Sequence, residues 1–224
     1  MEQFTDKVVL ITGAGRGTGR ALAEAFAAQG AIIAANDITP INLDETIARI
    51  TQAGGHAKDY VTDISKKMPV QAMLNEITDD WGRLDILINN AHVDPKKALL
   101  DLDEWDWRRA VDVNLTGPFL MAQSAGRMMK AAGGGIIVNI LSGGEGHAAL
   151  KSSRMGLIGL TVELADEFSA YNIRVNAVSK GSVDLPSEVK EPARELAMDI
   201  IQATRYLCSP EAAHINGKII ITNH

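Results

Sequence analysis

Thr12-Gly13-Ala14-Gly15-Arg16-Gly17-Thr18-Gly19 is the stretch on which the reading of this chain turns. The apolar run Lys7–Thr12, containing Val8-Val9-Leu10-Ile11, leads directly into it and reads as a strand. The amphipathic run Gly17–Gln29 leaves it and reads as a helix. Glycines between a strand and a helix permit a tight turn. They also let backbone N–H groups approach a pyrophosphate at the positive end of the helix. A glycine-rich turn alone is a weak signal, and its position in the first strand–helix unit gives it weight.

The same alternation continues outward. Ala31–Asn36 reads as a strand, followed by a helix that starts at Thr39-Pro40 and runs to about Ala53. Thr is a preferred N-cap and Pro a preferred first helical residue. His56–Thr62, Leu84–Asn89, Gly135–Leu141, Ile173–Val178 and Lys218–Thr222 read as further strands. Helices are expected over Lys66–Trp81, from Asp103 to about Ala131, from about Ala149 to Tyr171, and near Glu191–Leu207. Strands this apolar are buried on both faces, and strands that alternate with helices form a parallel sheet covered on both sides. The expectation is a three-layer α/β Rossmann fold with a sheet of about seven strands. No linker or repeat interrupts residues 1–224, which read as one dinucleotide-binding domain.

Composition narrows the function classes. The chain has 224 residues, 46% hydrophobic and 22% charged, a globular balance. Its 22 Lys+Arg against 28 Asp+Glu give a net charge of −6, with no basic cluster. That argues against a nucleic-acid partner and against an anionic membrane surface. The longest apolar runs, such as Ile219-Ile220-Ile221, are strand-sized, far from the about 20 residues of a membrane helix. Cys208 is the single cysteine, so it forms no internal disulfide or metal cluster and reads as a small core residue. No metal site is expected. The acidic N-terminus does not read as a signal peptide, and the expected location is the cytoplasm.

The second strand ends in Asn36-Asp37. A carboxylate about 20 residues past the glycines accepts hydrogen bonds from an adenosine ribose and repels a 2′-phosphate. Asp37 therefore favours NAD. Arg16 pulls the other way, because a guanidinium beside the loop suits a 2′-phosphate. Asp37 lies where the ribose belongs, so NADP is the weaker expectation.

With these motifs the chain resembles the short-chain dehydrogenase/reductase (SDR) family over nearly its whole length. Thr12–Gly19 matches the family's Thr-Gly-x-x-x-Gly-x-Gly. Asp63, with Ile64 after it, matches the Asp of the adenine pocket. Asn89-Asn90-Ala91-His92 matches Asn-Asn-Ala-Gly, with His in place of Gly. Asn114 matches the helix Asn, and Ile137-Val138-Asn139-Ile140-Leu141-Ser142 leads to the family's Ser. The resemblance implies hydride transfer between NAD(P) and a carbonyl or alcohol of a small-molecule substrate. It implies cofactor contacts from Gly13, Gly15, Arg16, Gly17, Thr18, Gly19, Asp37, Asp63, Ile64, Asn90, Ala91 and Val183. It also implies a homodimer or homotetramer built on the two long helices. The later of these carries Leu157, Ile158, Leu160, Leu164 and Phe168 on more than one stripe.

The pattern breaks on the substrate side. The family's proton-donating Tyr and its Lys four residues later align with Leu150 and Arg154. Leucine has no proton to give, and arginine stays charged and presents a planar fork. Ser142 to Leu150 is shorter than the family spacing, and only Ser182–Lys190 stands where a substrate-covering loop is usual. His147 and Lys151 lie one helical turn apart and share a face with Leu150 and Arg154. A shifted site is therefore expected to use His147 as acid/base, Lys151 or Arg154 at the ribose, Ser142 at the substrate oxygen, and Asn114 to hold a water. The alternative is an NAD-binding homologue without activity, acting as a sensor or oligomer partner. Fold alone does not exclude a lyase or epimerase.

Overall fold

The computed structural model describes residues 3–141, 147–181, 193–196 and 198–222. The elements are β1 (Val8–Thr12), α1 (Gly17–Ala27), β2 (Ile32–Asp37), α2 (Pro40–Gln52), β3 (His56–Val61), α3 (Lys67–Trp81), β4 (Ile86–Asn89), α4 (Glu104–Val111), α5 (Gly117–Ala132), β5 (Gly135–Leu141), α6 (Ala148–Ser169), β6 (Ile173–Lys180), β7 (Ala193–Leu196), α7 (Ile200–Leu207) and β8 (Ile219–Thr222). One parallel sheet runs in the order β3-β2-β1-β4-β5-β6-β8-β7. The chain winds outward from β1 to β2 and β3, then returns to place β4 on the other side of β1. A ligand crevice forms at such a reversal, beyond the carboxyl ends of the strands.

The alternation of side chains explains the layers. Val9 and Ile11 of β1, with Ile86 and Ile88 of β4, enter one core with Leu22 and Phe26 of α1, Leu43 and Ile50 of α2, and Leu207 of α7. Val8, Leu10 and Leu87 point the opposite way, against Met73 and Ile77 of α3, Met121 and Met129 of α5, and Leu164 of α6. Both cores are apolar, as the unbroken apolar strands require. Cys208 is buried in the first core, and burial pushes its thiol up to about 12. It remains a neutral packing residue.

The structure differs from the expected elements in two places. The helix expected from Asp103 to Ala131 is broken. Asp103 does cap it, accepting from Asp106 N–H at 2.8 Å. The backbone then widens into a π turn over Asp112–Thr116 before α5 begins at Gly117. Pro118 is the physical reason. It has no N–H to give the carbonyl four residues back, at Asn114, and the ladder shifts to Gly117 N–H donating to the Asp112 carbonyl. The helix expected near Glu191–Leu207 is also split. Ala193–Leu196 pairs in parallel with β8, and only Ile200–Leu207 is helical. Asp199 starts that helix with a capping box to Gln202.

A buried polar chain ties α6 to the sheet. Asn89 donates to Asn139 at 2.9 Å, Asn139 donates to Thr161 at 2.9 Å, and Thr161 donates to the Leu157 carbonyl at 2.7 Å. Replacing Asn139 with alanine strips partners from two buried groups and is expected to cost about 2–3 kcal/mol. Urea unfolding of Asn139→Ala against the parent protein measures it.

Candidate functional site

The glycine loop is held by an interlocking set of bonds at the ends of β1, β2 and β4. Thr12 Oγ1 accepts from the backbone N–H groups of Asn90 (3.0 Å) and Ala91 (3.1 Å). Asn90 returns its side-chain amide to the carbonyls of Thr12 (3.0 Å) and Gly13 (3.2 Å). Gly13 sits at φ +66°, open to glycine, and a Cβ on Gly19 would stand 2.0 Å from the Gly13 carbonyl oxygen. At Gly13 a Cβ would meet Ala91 Cα at 2.9 Å, so the loop leaves no room for a side chain at either position.

Asp37 closes the adjacent wall. Its carboxylate accepts from Gly15 N–H at 3.1 Å and Thr39 N–H at 3.0 Å. Thr39 is the N-cap of α2, but its hydroxyl makes no cap bond. Three residues absent from the sequence expectations complete the scaffold. Arg20 reaches the Gly15 carbonyl and pairs with Glu45 at 2.8 Å, and Thr46 donates to the Ala14 carbonyl at 2.9 Å. Asn36 donates from the end of β2 to the Tyr60 and Thr62 carbonyls, at 2.9 and 3.1 Å. Only a three-dimensional neighbour reveals these roles, since none lies in a motif.

The result is a cleft of about 630 Å³ at the sheet's switch point. Of the expected cofactor residues it brings together Gly13, Arg16, Gly17, Thr18, Gly19, Asp37, Asp63, Ile64, Asn90 and Ala91. Gly15 lies in the loop beneath, bonded to Asp37. Arg109 of α4 and Val113 of the π turn also line the cleft, which the sequence reading missed. Ser142 and Val183 lie outside the described residues.

The cleft fits a dinucleotide. Arg16, the N-cap of α1, makes no side-chain cap bond, so the first-turn N–H groups face an open site. Gly17 has no atom within 4 Å of where its Cβ would be. Asn90 Oδ1 is buried without a hydrogen-bond partner among the described residues. Each is what an anionic, hydrogen-bonding ligand would use.

A second, small cavity of about 10 Å³ adjoins it, lined by Ala91, His92, Asn114, Leu150, Arg154 and Leu157 among others. That is near the lower limit for a single water, about 10–15 Å³. Leu150 is buried here and Arg154 half-buried, so the residues aligned with Tyr and Lys do stand together beside the cleft. Asn114 is buried in the π turn. Its Oδ1 accepts from Val93 N–H (2.8 Å), and its Nδ2 donates to the Val93 carbonyl (2.9 Å) and to Ser153 Oγ (3.0 Å). It thereby clamps the loop after β4 to α6.

His147 lies just before α6, with its ring Nδ1 3.3 Å from the Asp94 carboxylate. Burial works to raise the Asp94 carboxyl. Bonds from Lys96 N–H and from the His147 ring and backbone hold it below the ordinary carboxylate range. His147 is exposed and lines neither cavity, and Lys151 is exposed on α6.

Residues 7–196 match the family model described as short chain dehydrogenase. The chain belongs to the short-chain dehydrogenase family. It is 33% identical over 233 residues to 3-oxoacyl-[acyl-carrier-protein] reductase FabG of Thermotoga maritima, covering 96% of this chain and 95% of that protein. It is 38% identical over 181 residues to the NAD-dependent glycerol dehydrogenase of Listeria innocua, covering 79% and 70%. The crystal structure of NAD+-bound xylitol dehydrogenase superposes with a TM-score of 0.85 at 26% identity, covering 98% of both chains. Family membership carries the fold and an NAD(P)-type site. The expected Rossmann sheet is present with its seven strands, and β7 adds an eighth at the edge.

Gly19→Ala places a methyl group against the Gly13 carbonyl and is expected to abolish detectable dinucleotide binding. It should also lower the melting temperature by several degrees, at about 1–3 kcal/mol for an overpacked site. Calorimetric melting together with NADH titration checks both.

Proposed function

We propose that this chain is an NAD(H)-binding oxidoreductase that transfers hydride to or from a carbonyl or alcohol, with a proton-transfer apparatus that departs from its family. The observation that carries the NAD reading is Asp37. Its carboxylate lines the cleft one hydrogen bond from the glycine loop. An anion there accepts from a ribose diol and repels a 2′-phosphate. The NAD dependence named for the glycerol dehydrogenase relative and the NAD+ in the xylitol dehydrogenase structure agree with it.

A bound nicotinamide supplies the hydride donor or acceptor. The protein's part is to bind, orient and move a proton. The first turn of α1 and Arg16 would meet the pyrophosphate, with Asp63 and Ile64 beside the adenine. Asn90 and Ala91 would form the floor of the cleft. Ser142 would hold the substrate oxygen and Arg154 a ribose hydroxyl, with Asn114 fixing the loop between them. Leu150 supplies no proton, so a bound water or an imidazole would relay it. His147, held by Asp94, is the candidate that the sequence offers, with Lys151 one turn further along.

One observation favours the alternative of an NAD-binding homologue without turnover. The cavity beside Leu150 and Arg154 holds at most about one water, so that point has no room for substrate.

A homo-oligomer also belongs to this proposal, on revised grounds. Leu157, Ile158 and Leu164 of α6 are buried within the chain, and so do not need a partner. Leu99, Leu100, Trp105, Trp107 and Phe119, in and around α4 and α5, are exposed. Exposed aromatic residues of this kind are characteristic of interfaces. Sedimentation at micromolar concentration is expected to show a dimer or tetramer, and a monomer contradicts it.

Parallel calorimetric titrations with NADH and NADPH test the cofactor reading. Micromolar NADH binding is expected, with NADPH at least tenfold weaker. Asp37→Ser should narrow that ratio by about tenfold, the loss of one charge–charge repulsion. Equal affinity for both dinucleotides in the parent protein contradicts the role given to Asp37.

A further inference from the structure

His92 stands where the family has glycine, and the sequence reading treats it only as a departure from Asn-Asn-Ala-Gly. The structure gives it a position no other titratable group shares. Among the described residues, Ala91 and His92 alone line both the dinucleotide cleft and the small cavity that holds Leu150 and Arg154. His92 therefore stands where the dinucleotide cleft meets the cavity beside Leu150 and Arg154.

Its ring is also poised. His92 Nδ1 is 3.0 Å from the Asn90 carbonyl oxygen. A carbonyl oxygen only accepts, so Nδ1 carries the hydrogen, and the Nε2 of the neutral ring is left as an acceptor. The backbone on either side is fixed. Asn90 is bound to Thr12 and Gly13, and Asn114 holds both polar groups of Val93. Proton transfer demands such rigidity, because a base must lie within hydrogen-bond reach of the proton it takes. His147 has a comparable ring bond, to Asp94, but lines neither cavity.

We infer that His92 is the proton-transfer residue of this site, its Nε2 facing the substrate oxygen in place of the absent tyrosine. The inference rests on the oxidoreductase reading above. In alcohol oxidation the O–H bond breaks toward Nε2 as the carbonyl C=O forms. The electron pair of the carbinol C–H bond leaves as the hydride that bound NAD+ accepts. The imidazolium then gives its proton to water. Reduction runs the same steps in reverse, with NADH as the hydride donor.

The test compares the full-length parent chain with His92→Gln and His92→Gly. First, diethylpyrocarbonate labels histidines in the free and NADH-bound protein, read by peptide mass spectrometry. NADH is expected to slow labelling of His92 at least tenfold. Binding of NADH that leaves His92 labelling unchanged overturns the inference but not the cofactor reading. Failure of both NADH and NADPH to bind overturns the cofactor reading itself. Second, NADH-dependent reduction of butane-2,3-dione is followed. His92→Gln is expected to lower kcat by about 10²–10⁴-fold, the usual scale of general acid–base catalysis. Its NADH affinity should stay within about twofold. Added imidazole should restore His92→Gly at least tenfold, filling the space the ring leaves. Equal turnover in the parent and His92→Gln, including none in either, overturns the inference. So does a loss that appears only in NADH affinity and that imidazole does not rescue.

Discussion

The architecture of the site depends on a single hydroxyl. Thr12 Oγ1 takes two backbone N–H groups from the segment that follows β4, and Asn90 answers with its amide on the Thr12 and Gly13 carbonyls. Two neighbouring strands that are distant in sequence are locked together at their carboxyl ends, at the point where the sheet reverses its winding. The glycine loop, the floor of the cleft and the segment bearing His92 all take their positions from this lock. Serine could supply the hydrogen bonds, but the threonine methyl also packs at a fully buried position, so the residue serves both the core and the site.

A second constraint comes from Pro118. By withholding one N–H it opens a π turn, which turns Asn114 inward to grip Val93 and Ser153. Short π segments of this kind gather at functional sites because they re-aim one side chain without ending the helix. Here that side chain spans the loop after β4 and the helix α6. The loop after β4 and α6 are thus joined by neutral hydrogen bonds that are buried or part-buried, where an unpaired partner would be costly.

Much of this was legible in the chain itself. Buried parallel strands must be apolar on both faces, so Val8–Ile11, Ile86–Ile88 and Ile137–Leu141 announce themselves, as does the glycine turn between β1 and α1. Asp37 and Asn90, which line the cleft, stand at motif positions. What escaped was set by partners distant in sequence. Ala193-Arg194-Glu195-Leu196 consists of good helix formers, yet pairing with β8 draws it into the sheet. Arg20, Thr46 and Arg109 carry no local signature, since their roles exist only once α1, α2 and α4 surround the loop. His92 was visible as an oddity of sequence. Its meaning needs the two cavities that it lines.

On the proposal made here, the chemistry lost with the tyrosine moves from α6 to the rigid segment after β4. A crystal structure of the NADH complex tests this account most directly. It predicts the adenosine ribose on the Asp37 carboxylate, the pyrophosphate on the first turn of α1, and the reactive face of the nicotinamide within about 4–5 Å of His92 Nε2, room for one bound oxygen between them. A nicotinamide that lies away from His92, or a His92 ring turned out of the cleft to admit the cofactor, would contradict it.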